Sequence, residues 1–181
     1  MRLVQYAVVF FVLSLVGGAV FFVGGVVRAQ EAVELTSQQS QQISTNCVAI
    51  KNTLEQLHAS DALLRVNRGQ AYESLATNFM ETFNSRLSSN RLDNGAMATV
   101  TSLYRANLTN FRTNYIAYEQ KLSEALKIDC TQDPQEFHNT VVEARELRSK
   151  VHADIQKLNR NIDDYHVSVG DFLRNYQRVS E

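Results

Sequence analysis

Apolar residues open the chain in one unbroken block and then recur at regular intervals. From Leu3 to Val27 no side chain carries a formal charge. As a helix this block would span about 37 Å, more than the ~30 Å hydrocarbon core of a bilayer. Beyond it, apolar residues fall at alternating steps of three and four, as in amphipathic helices. The pattern predicts an all-α protein in which an N-terminal transmembrane helix precedes a helical domain.

The spacing predicts three long helices, at about residues 36–89, 95–127 and 134–178. Turn-forming residues separate the first two, and a capping-box pattern with proline at the first helical position begins the third at 134. Short links place neighbouring helices antiparallel, and spacing near 3.5 implies supercoiling. We therefore predict an antiparallel three-helix, coiled-coil-like bundle over residues 43–179.

Each predicted helix carries a single apolar stripe. The first stripe has polar residues at two of its positions and otherwise contains Ile43, Cys47, Ile50, Leu54, Leu57, Leu64, Ala71, Leu75, Phe79, Phe83 and Leu87. The second contains Met97, Val100, Tyr104, Leu108, Phe111, Tyr115, Tyr118, Leu122 and Ala125. The third contains Phe137, Val141, Ala144, Val151, Ile155, Leu158, Ile162, Tyr165, Val169, Phe172 and Tyr176. One stripe per helix suits a three-helix bundle, and it also suits half of a larger bundle formed by dimerisation.

Residues 1–29 are expected to act either as a membrane anchor that is retained or as a signal segment that is cleaved. Their apolar block is longer than the ~7–15 residues of a signal peptide, which favours the anchor. Against this, Val27-Arg28-Ala29 resembles a small-residue cleavage site. Residues 30–42 are a polar spacer or the first turns of a helix.

The charges around the apolar block predict its orientation. Arg2 precedes the block, and only Arg28 follows it before the acidic residues begin at Glu31. The positive-inside bias then places the N-terminus in the cytoplasm and the larger domain outside. We expect a single-pass protein of the cell membrane, or a secreted protein if the chain is cleaved after Ala29.

The two cysteines are predicted to form a disulfide. Folding the chain back near Arg91 brings Cys47 and Cys130 to the same end of the bundle. Cysteines that meet outside the cytoplasm usually pair, and the alternative is two buried free thiols. Such a bond would clamp the connection between the second and third helices to the start of the first.

Charged residues interrupt the first stripe within LHASDALLRVNRGQAYE, which runs from Leu57 to Glu73. Asp61 and Arg68 occupy positions where apolar residues are expected, and Arg65 lies one turn from Asp61, close enough to pair with it. Fold-back places Arg68 level with Asn114 and with Glu143 or Glu146. One interpretation is a self-paired polar layer that sets the register of the helices, and the other is a ligand pocket between them.

Composition narrows the functional classes. Two of the 18 basic residues, Arg2 and Arg28, precede residue 30, which leaves 16 basic against 19 acidic residues beyond it. A nucleic-acid partner is therefore not expected. His58, His138 and Asp61 could supply three metal ligands, but they lack a compact metal-site spacing. We expect no metal, no cofactor and no enzymatic activity.

The apolar block, Cys47, the 57–73 stretch and Ile128-Asp129-Cys130 resemble the uncharacterised single-pass, helix-rich exported proteins of small-genome bacteria. This resemblance implies an anchor and a helical domain but no known activity. The leading hypothesis is a membrane-tethered extracytoplasmic coiled-coil protein with a structural or protein-interaction role. Its partners would be the membrane, through the N-terminal helix, and a homo-oligomer or another protein. The alternative is an extracytoplasmic ligand-sensing or solute-binding helical bundle.

Overall fold

The computed structural model describes residues 34–180, and these residues form a helical bundle. No strand occurs within this range, so the all-α prediction is confirmed. The elements are α1 (Ser37–Thr45), α2 (Cys47–Ser74), a π-helical segment (Leu75–Glu81), α3 (Thr82–Ser89), α4 (Gly95–Lys127) and α5 (Pro134–Ser180).

The first predicted helix is divided where the second and third are continuous. Thr36 caps α1 through a capping box with Gln39, so the polar run from Ser37 is helical. Asn46 then leaves helical geometry, and its side-chain amide donates to the carbonyl of Gln42 at 2.8 Å. Such local side-chain bonding competes with the regular helical hydrogen bonds, which accounts for the break before Cys47.

The order of the contacts along the chain gives the directions of the helices. From α2 into α3 the hydrogen-bonded pairs to α4 are Asp61 with Tyr118, Tyr72 with Tyr104, and Asn84 with Thr101. Residue numbers rise along α2 and α3 while those of their partners fall along α4, so α2 and α3 run antiparallel to α4. Along α4 and α5 the pairs are Asn107 with Asn161 and Asn114 with Asp154, which are also antiparallel.

The main core lies along α4. Every member of the predicted stripe of α4 is buried except Val100, which packs partly buried against the same cluster. From α5 the core receives Ala144, Val151, Leu158 and Tyr165. At the C-terminal end of α5 the prediction fails for Tyr176, whose ring is half exposed and stacks on Phe172.

The π-helical segment changes the register of the first stripe. Tyr72, Ala76, Met80 and Asn84 are buried and lie four residues apart. In an α-helix four residues turn about 400°, so such a row would rotate away from the core by about 40° at each step. The wider π-helical turn, with i→i+5 hydrogen bonds, offsets that rotation. The prediction that Phe79 lies inside is therefore wrong: it is 56% exposed, although its ring still contacts Tyr165.

Tyrosine hydroxyls satisfy main-chain carbonyls in and beside the π-helical segment. Tyr104 donates to the carbonyl of Tyr72 at 3.0 Å. Tyr165 lies 3.3 Å from the carbonyl of Met80 and donates to Asn84 Oδ1 at 3.0 Å. Buried tyrosine needs a hydrogen-bond partner, and here it finds one on a helix whose regular bonding has changed.

The disulfide between Cys47 and Cys130 is confirmed, with a Cα–Cα distance of 5.5 Å. Both cysteines are buried in a second apolar cluster with Phe137. Close by, the main-chain N–H of Leu35 donates to Gln135 Oε1 at 2.7 Å. The bond thus joins the start of α2 to the connection between α4 and α5.

Within residues 34–180 no helix combines the length and the apolar character needed to cross a bilayer. The predicted transmembrane or signal segment at 1–29 lies outside the described residues.

We expect the disulfide to stabilise the bundle mainly by restricting the unfolded chain. The bond spans 83 residues, for which the chain-entropy argument gives about 4.5 kcal/mol as an upper value. Replacing both cysteines with alanine should lower the free energy of unfolding by about 2–4 kcal/mol, measured by urea denaturation followed by circular dichroism. Reduction of the wild type should reproduce the loss, and an unchanged midpoint after both treatments would contradict it.

Candidate functional site

A segment of α2 stands away from the other helices. Asp61 and Tyr72 are both buried, so α2 touches the core at either end of this segment. Between them the residues that helical spacing turns toward the core, Leu64, Arg65 and Arg68, are exposed, Leu64 by 49%. The helix therefore separates from α4 and α5 over roughly two turns.

This separation opens a groove of about 460 Å³ between three helices. From α2 it is lined by Asp61, Leu64 and Arg65; from α4 by Phe111, Tyr115 and Tyr118; and from α5 by Arg145, Arg148, Ser149, Val151, His152 and Ile155. Ligand pockets commonly measure ~300–1,000 Å³ and combine apolar walls with a few placed polar groups. The groove has both properties, and we call it the Asp61 groove.

An ion pair between Asp61 and Arg148 lines the Asp61 groove. Arg148 donates from Nε to Asp61 Oδ2 at 2.8 Å and from Nη2 to Oδ1 at 3.2 Å. The hydroxyl of Tyr118 donates to the same Oδ2 at 2.8 Å. The carboxylate is buried, whereas the Arg148 side chain is 51% exposed and reaches solvent through the groove.

The pair changes the acid–base properties of its members. Burial alone would raise the pKa of Asp61, but hydrogen bonds from Arg148 and Tyr118 and the nearby positive charge outweigh it and lower that pKa. Burial, together with the bond to Asp61, raises the pKa of Tyr118. Asp61 is therefore held as a carboxylate and Tyr118 as a neutral donor.

A second set of contacts extends from the groove along α4. The guanidinium of Arg65 lies 4.9 Å from the ring centre of Tyr115, a cation–π contact. The Tyr115 hydroxyl donates to Glu119 Oε1 at 3.1 Å, and His58 Nε2 lies 3.0 Å from the same oxygen. Burial, and then the charge of Glu119, raises the pKa of Tyr115.

The structure brings together two of the three predicted site residues. Asp61 and Arg65 line the groove, but Arg68 is exposed and lines neither the groove nor the ion pair. Two of the three predicted partners of Arg68 are engaged elsewhere, since Asn114 binds Asp154 and Glu143 binds Lys121. Arg68 lies on the predicted stripe, but the structure leaves it exposed because α2 does not pack against the core here.

Sequence reasoning missed Arg148, the actual partner of Asp61. It had expected the pairing one turn away, at Arg65. A signal was available: the apolar stripe of α5 lacks a member between Ala144 and Val151, and Arg148 occupies that gap. Arg148, in the gap of the α5 stripe, thus faces Asp61, which interrupts the first stripe.

A second buried carboxylate shows that polar pairing recurs between α4 and α5. Asp154 is 2% exposed, accepts from Asn114 Nδ2 at 2.6 Å and pairs with Lys157 at 3.0 Å. One step further along, Asn107 donates to Asn161. These contacts are satisfied within the two helices, so they fix register.

The groove combines charged and apolar side chains. Its one carboxylate is held in an ion pair, while arginines and apolar side chains face the open volume. The described residues contain no cluster of three potential metal ligands, and His58 instead contacts Glu119. Comparison of the chain with family models, with curated proteins and with solved structures finds no match.

Removing the Asp61 carboxylate should destabilise the bundle. Asp61→Asn leaves Arg148 without its counter-charge, although half of that side chain reaches water, so we expect a loss of about 1–3 kcal/mol. In a double-mutant cycle with Arg148→Met, the double variant should lose less than the sum of the single variants. Urea unfolding at pH 7 measures each term.

Asp163→Asn is the matched control, because Asp163 is exposed and forms no ion pair with the described residues. It should change the free energy of unfolding by less than about 0.5 kcal/mol. Strict additivity in the cycle would show that the Asp61–Arg148 contact contributes nothing to stability.

Stability should depend on pH at both extremes. Because folding lowers the pKa of Asp61, its contribution is complete above about pH 4, the unfolded value, and is lost as pH falls through the folded value. Because folding raises the pKa of Tyr118, its contribution is lost as pH rises above about 10. Urea unfolding across pH 2–12 measures both limbs.

Two variants separate these limbs. The difference in unfolding free energy between wild type and Asp61→Asn should be constant above about pH 5 and shrink below about pH 4. Tyr118→Phe should make the alkaline limb shallower without removing it, because burial also raises the pKa of Tyr104, Tyr115 and Tyr165. Tyr176→Phe, which changes an exposed ring, should leave the limb unchanged. A gap that grows as pH falls would reverse the assigned sign.

Proposed function

We propose that this chain is a membrane-tethered, extracytoplasmic helical bundle with a structural or protein-interaction role. The observation that supports this most strongly is the bond between Cys47 and Cys130. Stable disulfides are typical of oxidising compartments outside the cytoplasm and are rare within it. The uncharged block from Leu3 to Val27 supplies the segment that would export and hold the domain.

The contacts between helices support a binding role over a catalytic one. Asp61 and Asp154 are each held by a cation and a hydrogen-bond donor. A general acid or base needs a pKa near the working pH, whereas the pKa of Asp61 is lowered away from it. Exposed Leu63 and Val66 offer apolar contact area to a protein partner or a second copy.

The Asp61 groove favours a second candidate function, a ligand-sensing or solute-binding bundle. A volume of about 460 Å³ bordered by arginines is more than a self-paired layer requires. In a purely structural bundle, larger apolar side chains would fill this volume and add stability, because apolar side chains that remain in contact with water contribute little.

Export and tethering can be tested in cells that express the full chain with a C-terminal tag. The protein should fractionate with membranes, and its tag should be digested by protease added to spheroplasts. Alkylation before lysis should leave Cys47 and Cys130 unmodified until reductant is added. Intact mass then distinguishes a chain beginning at Met1 from one cleaved after Ala29.

A Cys47→Ala variant is the control, because its remaining thiol must be alkylated without reductant. A tag protected from protease, together with both cysteines alkylated in the wild type, would contradict the proposal. Mild crosslinking of the tagged chain, followed by mass spectrometry, identifies the protein partner or the second copy.

A further inference from the structure

The Asp61 groove carries more positive than negative charge. Arg65, Arg145 and Arg148 line it against the single carboxylate of Asp61. Arg148 uses two of its five N–H donors on that carboxylate. Arg65 stacks on Tyr115, and no hydrogen bond or ion pair joins Arg145 to another described residue. Donors therefore remain for a further anion.

The groove lining also includes four apolar side chains, which we call its apolar wall. Leu64 comes from α2, Phe111 from α4, and Val151 and Ile155 from α5. Leu64 is about half exposed only because α2 stands away here. An alkyl chain lying along this wall would remove apolar surface from water at about 25 cal/mol per Å².

We propose that the Asp61 groove binds an amphiphile with one alkyl chain and an anionic head group. Arg65, Arg145 and the free donors of Arg148 hold the head group, and the apolar wall holds the chain. Guanidinium groups suit carboxylate and phosphate through charge-assisted hydrogen bonds. This inference rests on the second candidate function and names the ligand class for that groove.

The volume favours a small molecule over a protein segment. The groove of about 460 Å³ falls within the usual range of small-molecule pockets, and α2 contributes to it over only about one turn, from Asp61 to Arg65. A docked helix needs anchors over two or more turns. An acidic peptide is therefore the competing occupant in the test.

The test uses the full chain in phosphatidylcholine nanodiscs, with empty nanodiscs as the blank. Binding of radiolabelled dodecanoate, below its micelle concentration, is measured by equilibrium dialysis. We expect saturable binding at one site per chain. Dodecyltrimethylammonium, which has the same chain and the opposite charge, should not compete.

Two double variants are compared, each of which removes two positive charges. Arg65→Gln/Arg145→Gln removes two exposed head-group contacts and should weaken dodecanoate binding at least about tenfold. Arg160→Gln/Arg178→Gln removes two exposed charges of α5 outside the groove and should leave binding within about twofold. Urea unfolding checks that both variants fold.

Equal weakening of dodecanoate binding in the two double variants would overturn the inference, and so would full competition by dodecyltrimethylammonium. Binding of an acidic peptide at this site, where dodecanoate does not bind, would also overturn it. Binding of dodecanol without dodecanoate overturns the anionic ligand class but leaves a solute-binding groove. If neither probe binds, the second candidate function fails as well.

Repeating the experiment in nanodiscs that contain an anionic lysophospholipid, which has one alkyl chain, distinguishes two sources of the same chemistry. If the lysophospholipid lowers dodecanoate binding to the wild type, the head group comes from the membrane. If binding is unchanged, the ligand is a free amphiphile. Either result supports an anionic amphiphile.

Discussion

Asp61 is the point at which three helices are held to one another. Its carboxylate accepts from Tyr118 on α4 and from Arg148 on α5 while it lies on α2. A buried carboxylate without these donors would be costly, so its presence fixes the relative height of all three helices. The disulfide fixes the neighbouring end, and between these two ties the start of α2 has little freedom to slide. The groove opens beyond Asp61, where α2 presents Leu64 and Arg65 to the open volume.

Further along the chain, the π-helical segment keeps a row of buried residues facing α4. Beyond the groove α2 must return to α4, and its buried residues from Tyr72 to Asn84 come at steps of four. An α-helix cannot keep such a row facing one neighbour, whereas a wider turn can. The altered main-chain bonding is accompanied by hydroxyls from Tyr104 and Tyr165, which act as donors from the core. The tyrosines of the stripe thus have a bonding role that phenylalanine would not fill.

Helical periodicity predicted the all-α fold and the disulfide because both follow from spacing and from the positions of two breaks. It failed where spacing stops being uniform. Phe79 was placed inside on the assumption of an unbroken α-helical register, and the π-helical turn moved it outward. Arg68 was placed on the seam on the assumption of a straight helix, and the departure of α2 left it exposed. Arg148 could have been found by comparing gaps between stripes, but its bond to Asp61 depends on heights that only packing sets.

The outward segment of α2 argues for a use beyond support. A rod selected only for length would fill the inward positions between Asp61 and Tyr72 with leucine or isoleucine, since each buried apolar side chain contributes about 1.5–3 kcal/mol. Instead those positions hold Arg65 and Arg68 beside a half-exposed Leu64, while Leu63 and Val66 point to solvent. The same helix carries the disulfide and the ion pair, yet it lacks this stabilisation between Asp61 and Tyr72. Such a segment is consistent with a surface that is kept open for an occupant. Arginines from α2 and α5 border the opening, so an occupant with a negative charge would match them.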